Sequence, residues 1–150
     1  MQEALNQAKI AYENDEVPVG AVIVKDGQII AKAHNQNRKL NDPTAHAEIL
    51  ALREAAKNAN HHRLDDHDIY ITLEPCLMCA SAISLAKIKR VYFAAHDEKF
   101  GAIESNPGIL QAQNSYNRFE IYSKIGQNDS KLLLQKFFTK KRLEKKKPVN

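Results

Sequence analysis

Residues 68–95 read DIYITLEPCLMCASAISLAKIKRVYFAA, and this stretch decides the fold class. Residues 68–73 alternate in polarity, which is typical of a β-strand with one buried face. Pro75 favours a first helical turn and predicts a helix that continues to about Ala86. Residues 90–95 are rich in β-forming side chains without polar alternation, which predicts a buried strand. Strands separated by helices in this way predict an α/β sheet with helices on both faces.

Local patterns predict further elements on either side of this stretch. They are a helix over 3–14, strands over 21–24 and 28–33 joined by Asp26-Gly27, a helix from Thr44 to about Lys57 with Pro43 in its first turn and Asp42 as its cap, a loop over 58–68, a fifth strand over 118–122, and a last helix from Gln127. Residues 97–117 receive no element, and the patterns do not give the order of the strands in the sheet.

Length and composition indicate one globular domain in the cytoplasm. The chain has 150 residues, of which 43% are apolar and 27% charged, and this balance excludes disordered and collagen-like chains. The longest apolar run is five residues, whereas a membrane helix needs about 20. Acidic residues within the first fifteen positions argue against a secretory signal, and two cysteines cannot form a disulfide framework. We therefore expect a single domain over residues 1–150.

The net charge of +4 is distributed unevenly along the chain. From Lys131 to the end there are eight Lys or Arg and one acid, a balance of +7, whereas residues 1–130 hold 14 basic and 17 acidic residues, a balance of −3. A basic C-terminal helix or tail from about residue 131 predicts a polyanionic partner at one edge of the molecule. A solvated terminal helix explains the same charges, so the charge pattern alone leaves both interpretations open.

Cys76 and Cys79 form the first candidate site. Three positions apart on a predicted helix, they share one helix face. Pro75 places Cys76 in the first turn, where free backbone N–H groups and the helix dipole favour a thiolate. The pair is suited to zinc, but a redox pair or two buried small side chains would show the same spacing.

His46 and Glu48 extend the candidate site. One histidine and two cysteines give three ligands with a fourth position open, the pattern of a catalytic zinc rather than a structural one. Glu48 lies about 200° around an ideal helix from His46, which favours an acid/base role beside the metal over a role as a fourth ligand. Taken singly, His46 also fits a core histidine and Glu48 an exposed carboxylate. The other histidines fall in strand ends or polar loops, where we expect solvated imidazoles: His34, His61, His62, His67 and His96.

The H-x-E and P-C-x-x-C motifs together are the signature of zinc nucleobase deaminases. Four longer strings narrow the resemblance: residues 16–22, 42–49, 72–79 and 97–102 resemble the bacterial tRNA-specific adenosine deaminases. The likeness covers most of the chain. It implies the cytidine deaminase-like fold, a three-layer α/β/α arrangement with a five-stranded mixed sheet.

The same resemblance implies the chemistry. His46, Cys76 and Cys79 are expected to bind one Zn²⁺ per chain, with the fourth position left for water. Glu48 is expected to take a proton from the water and pass protons to the purine ring and the departing amine. The expected reaction is hydrolytic deamination of the wobble adenosine in an arginine tRNA anticodon loop, which gives inosine and ammonia.

The resemblance also implies contacts with RNA and a second copy of the chain. The expected substrate-binding residues are Asn35 on the flipped nucleoside, the backbone of Ala47 on the base edge, Asp97 and Lys99 near neighbouring nucleotides, and Phe137, Lys140 and Arg142 in the last helix. Either phenylalanine of the pair Phe137-Phe138 could instead anchor that helix to the core. A homodimer is implied by resemblance only.

Two other functions remain open at this point. One is a free nucleobase or nucleoside deaminase of the same superfamily, acting on guanine or cytosine, since the zinc motif is shared. The other is a non-catalytic RNA-binding module stabilised by zinc, against which Glu48 argues. The chain also departs from many relatives at residues 103–108 and 116–118, which affects the expected outer loop contacts but not the zinc motif.

Overall fold

The computed structural model describes residues 1–111 and 119–146. The strand, helix and strand predicted over residues 68–95 are present. The elements in chain order are α1 (Gln2–Glu13), β1 (Gly20–Lys25), β2 (Gln28–His34), α2 (Asn37–Leu40), α3 (Ala47–Ala59), β3 (Asp68–Leu73), α4 (Leu77–Leu85), β4 (Arg90–Ala95), α5 (Gly108–Gln111), β5 (Glu120–Tyr122) and α6 (Gln127–Lys145).

The five strands form one mixed sheet in the order β2-β1-β3-β4-β5. β1 runs antiparallel to both β2 and β3, whereas β4 runs parallel to β3 and β5. The turn between β1 and β2 has positive φ at Asp26 (50°) and Gly27 (75°), which is the backbone of the predicted tight hairpin. Because β3 and β4 are parallel, their carboxyl ends meet at one edge of the sheet.

Helices cover both faces of the sheet, as the predicted α/β/α arrangement requires. α3 packs on β1, β2 and α4, while α1 packs on β1, β2 and α6, which itself lies against β3 and β4. Ala47, Ala51 and Ala55 are fully buried at four-residue intervals, so α3 lies close to the sheet. On the other face, a Cβ at Gly20 would meet the carbonyl oxygen of Ala4 at 2.0 Å, so α1 can approach β1 only at a glycine.

The helix predicted over 44–57 starts later than expected. His46 is extended (φ −73°, ψ 151°) and α3 begins at Ala47. The Asp42 carboxylate accepts hydrogen bonds from the backbone N–H and the hydroxyl of Thr44, at 2.8 and 2.7 Å, and so closes a turn instead of capping a helix. His46 therefore precedes the helix that carries Glu48, and the predicted 200° separation on a common helix is wrong.

Several other predicted elements differ in their bounds by one or two residues. The helix expected to start at Pro75 begins at Leu77, because Cys76 is still extended (φ −70°, ψ 172°). The fifth strand covers Glu120–Tyr122, while residue 118 and the sequence departure at 116–118 lie outside the described residues. Within the described ranges, no helix is both long and apolar enough to cross a membrane.

Candidate metal centre and active-site cavity

The structure brings His46, Cys76 and Cys79 together. The Nδ1 atom of His46 lies 3.7 Å from the sulfur of Cys76 and 3.4 Å from the sulfur of Cys79. The candidate donor atoms of all three residues lie within 4.8 Å of one another. His46 and Cys76 are the residues immediately before α3 and α4, and Cys79 lies in the first turn of α4. Two helix N-termini therefore converge on one point, where their partial positive charge favours thiolates.

This donor set fits zinc. A tetrahedral zinc at its usual bond lengths holds a nitrogen and a sulfur ligand about 3.5 Å apart, close to both observed distances. Two sulfurs and one imidazole leave one coordination position for a further ligand, which distinguishes a catalytic site from a closed structural one. The residues present could hold the metal without rearrangement of the backbone.

The three candidate ligands perturb one another. A hydrogen bond from the Cys79 thiol, assisted by His46, lowers the pKa of Cys76 to about 4. The same hydrogen bond, together with burial and the neighbouring Glu48 carboxylate, raises the pKa of Cys79. Hydrogen bonding to Cys76 raises the pKa of His46. Because cysteines bind a metal as thiolates, metal binding at this cluster displaces protons.

Glu48 lies beside this cluster without belonging to it. It is the second residue of α3, only 4% exposed, and it lines the same cavity as His46 and Cys76. Burial raises the pKa of Glu48 to about 7, against the opposing effect of its own backbone N–H. A carboxyl group with such a pKa can take up and release a proton near neutrality, which is the requirement for a general acid and base.

A cavity of about 1030 Å³ opens over the cluster. Its lining is Val17, Val19, Asn35, Asn37, His46, Glu48, Leu73, Glu74, Cys76, Leu77, Met78, His96, Asp97, Glu98, Lys99, Phe100, Leu134 and Phe138. Of the residues predicted to bind substrate, Asn35, Asp97 and Lys99 are in this lining. Ala47 is buried, and its N–H donates to the Asn35 side-chain oxygen at 2.8 Å. Asn35 therefore faces the cavity, whereas the backbone of Ala47, predicted to contact the base edge, does not.

The last helix presents a different aromatic ring from the one predicted. Phe137 is 4% exposed and packs edge-on against Tyr12, with ring centres 6.2 Å apart. Phe138 is 47% exposed and lines the cavity. Phe137 is therefore the anchor of α6, because its side of the helix faces α1, and Phe138 is the ring available to a ligand.

The two predicted cations of the last helix lie outside the cavity lining. Lys140 is 3.7 Å from an Asp15 oxygen and 3.9 Å from a Glu144 oxygen. Arg142 donates to the hydroxyl of Thr139 at 3.2 Å. Both side chains are exposed, so both remain accessible to a polyanion.

Sequence patterns assigned no role to Glu74, and they misjudged the surroundings of His67 and His96. Glu74 is a buried carboxylate in the cavity wall, directly before Pro75. Burial by itself raises the pKa of Glu74. Hydrogen bonds to the carboxylate, led by those from Ser105, outweigh this effect and hold the pKa below its usual value. His96 lines the cavity and lies 2.7 Å from a Glu104 oxygen. His67 is buried, with Nδ1 2.9 Å from the Asp65 carbonyl oxygen, so the expectation of a solvated imidazole is wrong there.

Comparison with known proteins defines the class first. The sequence profile of the cytidine and deoxycytidylate deaminase zinc-binding region matches residues 1–95, which include the whole His46, Cys76 and Cys79 cluster and Glu48. The fold and the site are thus those of a zinc-binding deaminase.

Individual relatives narrow the class. The tRNA-specific adenosine deaminase of Agrobacterium fabrum is 46% identical over 144 residues, which cover 96% of this chain and 95% of that one. A solved structure from studies of A-to-I editing by tRNA:A34 deaminases at the wobble position is 46% identical, with a TM-score of 0.86 over 89% of this chain and 97% of that one. The guanine deaminase of Bacillus subtilis is more distant, at 30% identity and a TM-score of 0.62 over 99% and 96%. The chain belongs to the tRNA-specific adenosine deaminases.

Proposed function

We propose that this protein hydrolyses the wobble adenosine of a tRNA anticodon loop to inosine and ammonia, with one zinc ion held by His46, Cys76 and Cys79 and with Glu48 as proton carrier. The observation that carries the proposal is the placement of a buried carboxylate beside a three-ligand metal cluster at the wall of one cavity. The names of the relatives supply the substrate class.

Glu48 has two tasks in this reaction. When bound, zinc supplies Lewis acidity that lowers the pKa of water at the site. Glu48 accepts the proton that the attacking water loses as its oxygen bonds to C6 of the purine. It passes that proton to the ring nitrogen, then accepts the second proton from the new C6 hydroxyl and passes it to the amine, so that the C6 oxygen becomes a carbonyl, the C6–N bond breaks and ammonia leaves. Its pKa of about 7 suits both directions of transfer.

The cavity mouth suits a nucleotide in a single-stranded loop. Lys99, Phe100 and Phe138 combine an ammonium group with exposed aromatic faces in its lining. Bases in loops stack on such faces after they leave the helical stack, at a lower cost than in a duplex. We extend the proposal to Lys140 and Arg142, which would lie along phosphates beyond the cavity on the same helix.

The finer partner assignments belong to the proposal as well. We propose an arginine tRNA anticodon as the substrate and a homodimer as the working form, both on the family resemblance. The α4 surface supports the dimer, since α4 has no charged residue and leaves Leu85 67% exposed at its end. Light scattering during gel filtration is expected to give twice the 16.9 kDa chain mass, and 16.9 kDa would contradict the dimer.

The test is a substrate panel for the zinc-loaded protein. An arginine anticodon stem-loop with a wobble adenosine, the same stem-loop with a different anticodon, and free adenosine, cytidine and guanine are incubated separately, and products are identified by mass. We expect inosine in the arginine stem-loop alone, with turnover falling steeply as salt is added. Turnover of free guanine or cytidine with an inert stem-loop would instead support the free-base deaminase that the guanine deaminase likeness suggests.

A further inference from the structure

One edge of the cavity is a loop, residues 97–105, which we call the lip. Asp97, Lys99 and Phe100 all contribute to the cavity lining. Phe100 is 62% exposed, and the Lys99 ammonium lies 5.0 Å from the centre of its ring. An exposed ring beside a cation is a combination that binds the bases and phosphates of single-stranded nucleic acid.

A single buried carboxylate organises the lip from below. Glu74 is 2% exposed. Its Oε1 accepts hydrogen bonds from three consecutive backbone N–H groups, those of Ile103 (3.2 Å), Glu104 (2.7 Å) and Ser105 (2.8 Å). Its Oε2 accepts from the backbone N–H of Asp97 at 3.1 Å and from the Ser105 hydroxyl at 2.5 Å. Consecutive N–H groups that converge in this way form an anion-binding concavity, and here the anion belongs to the protein itself.

Close backbone packing completes the attachment of the lip. The Ala102 N–H donates to the Pro75 carbonyl at 2.9 Å, and Gly101 forms an isolated antiparallel bridge with Cys76. A Cβ at Gly101 would lie 2.3 Å from the Glu74 Oε2, so the carboxylate occupies the space of the missing side chain. The lip is thereby joined to the segment that carries a candidate metal ligand.

We propose that Glu74 is a positioning residue that holds the lip in the shape in which Asp97, Lys99 and Phe100 receive the RNA nucleotides beside the target base. The inference rests on the proposed function and deepens it. A lip already held in its binding shape loses little conformational entropy when RNA binds, so the carboxylate acts on affinity for the loop and not on proton transfer. Glu74 itself lies beneath the lip and works through the residues above it.

The test replaces Glu74 by glutamine in the full-length, zinc-loaded protein. The amide nitrogen of glutamine cannot accept, so at least one lip N–H group loses its partner. We expect KM for the stem-loop to rise about tenfold, the factor that corresponds to about 1.4 kcal/mol of binding, with kcat within about twofold of the wild type. Zinc content is expected to stay at one per chain, and the amide protons of residues 103–105 are expected to exchange faster.

Two further variants keep the outcome interpretable. Asp68→Asn makes the same change at the opposite end of β3, where the carboxylate pairs with Arg90 at 3.0 Å, and should leave KM and lip exchange unchanged. Ser105→Ala removes one hydrogen-bond donor to Glu74 and should raise KM and the amide exchange rate of the lip, each by less than Glu74→Gln does. This variant replaces Glu74→Gln in the test if Glu74→Gln does not fold.

The failures are separable. No inosine from the wild-type protein on any stem-loop would contradict the proposed function. Wild-type turnover with unchanged KM and unchanged lip exchange in Glu74→Gln, or in Ser105→Ala if only that variant folds, would overturn the inference alone. A loss of zinc in Glu74→Gln together with a fall in kcat at constant KM would also overturn it, because Glu74 would then support the metal site and not the lip.

Discussion

The side-chain oxygen of Asn35 accepts a hydrogen bond from the backbone N–H of Ala47 at 2.8 Å. This hydrogen bond joins the end of β2 to the start of α3, at the residue that lies between His46 and Glu48. One amide side chain thus fixes the chain segment that presents both a candidate metal ligand and the proposed proton carrier. It does so from the cavity wall, where the same side chain is available to substrate.

Asn35→Ala should therefore impair both stability and turnover. Its removal leaves the buried Ala47 N–H without a partner, which costs about 1–3 kcal/mol in the free energy of unfolding. We expect kcat/KM to fall by at least an order of magnitude, since the proposed base contact and the position of Glu48 are lost together. Denaturant unfolding and steady-state kinetics measure the two effects.

The matched control for Asn35 is Asn58→Ala. The Asn58 side chain also bonds to the backbone, but it does so on the exposed surface, where its amide nitrogen donates to the Ile30 carbonyl at 3.1 Å. Its loss should cost less than about 0.5 kcal/mol and leave kinetics unchanged. Equal kinetic effects from the two variants would contradict the role given to Asn35.

Phe137 and Phe138 should separate stability from RNA binding. Phe137→Ala removes a buried ring and should lower the free energy of unfolding by about 3–5 kcal/mol. Phe138→Ala should leave stability nearly unchanged but weaken stem-loop binding by about 1–3 kcal/mol, the usual contribution of one stacked base. Thermal unfolding and fluorescence anisotropy with a labelled stem-loop decide the assignment. The reverse pattern would restore Phe137 as the RNA contact.

Metal removal should affect the site before the rest of the fold. His46→Ala should abolish zinc binding and turnover, because two thiolates alone leave the metal with too few protein ligands. His62→Ala changes an exposed histidine of a polar loop and should keep one zinc per chain. Elemental analysis of both purified variants, before and after dialysis against a chelator, gives the result. Zinc retained by His46→Ala would exclude the proposed ligand set.

The basic residues of the last helix should increase the salt dependence of stem-loop binding. If Lys140 and Arg142 contact phosphates, the double change to glutamine should reduce the slope of log affinity against log salt by about 1.4, at about 0.7 per contact on a single strand. Lys57→Gln, at the far end of α3, should leave the slope as it is. A slope unaffected by the double change would mean that Lys140 and Arg142 do not contact phosphates.

Short sequence patterns predicted those helices and strands whose bounds depend only on neighbouring residues in the chain. Strands β3 and β4 have the predicted bounds because the alternation of β3 and the run of β-forming residues in β4 are each contained within six residues. The start of α3 could not be predicted, since the Asp42 side chain stabilises a turn ahead of it. Likewise, the choice between Phe137 and Phe138 depends on the rotation of α6 against α1, which no local pattern contains.

The residues that cluster at the candidate metal site could be predicted from the sequence, but the residues that hold the surrounding loops in place could not. The metal cluster follows from two short motifs, which place one histidine and two cysteines at the starts of two helices. Glu74 could not be assigned a role, because the groups that donate to it lie 23–31 residues further along the chain. The signal available was its place directly before Pro75-Cys76, which becomes informative only when the lip is folded over it.

The most direct test of the central claim is inosine formation at the wobble position of the arginine stem-loop by wild-type protein and by Glu48→Gln at matched zinc content. The account predicts full conversion by the wild type. It predicts a loss of at least about 100-fold in kcat for Glu48→Gln, with stem-loop affinity and zinc unchanged, because the amide cannot carry protons. Conversion by Glu48→Gln at the wild-type rate would contradict the account.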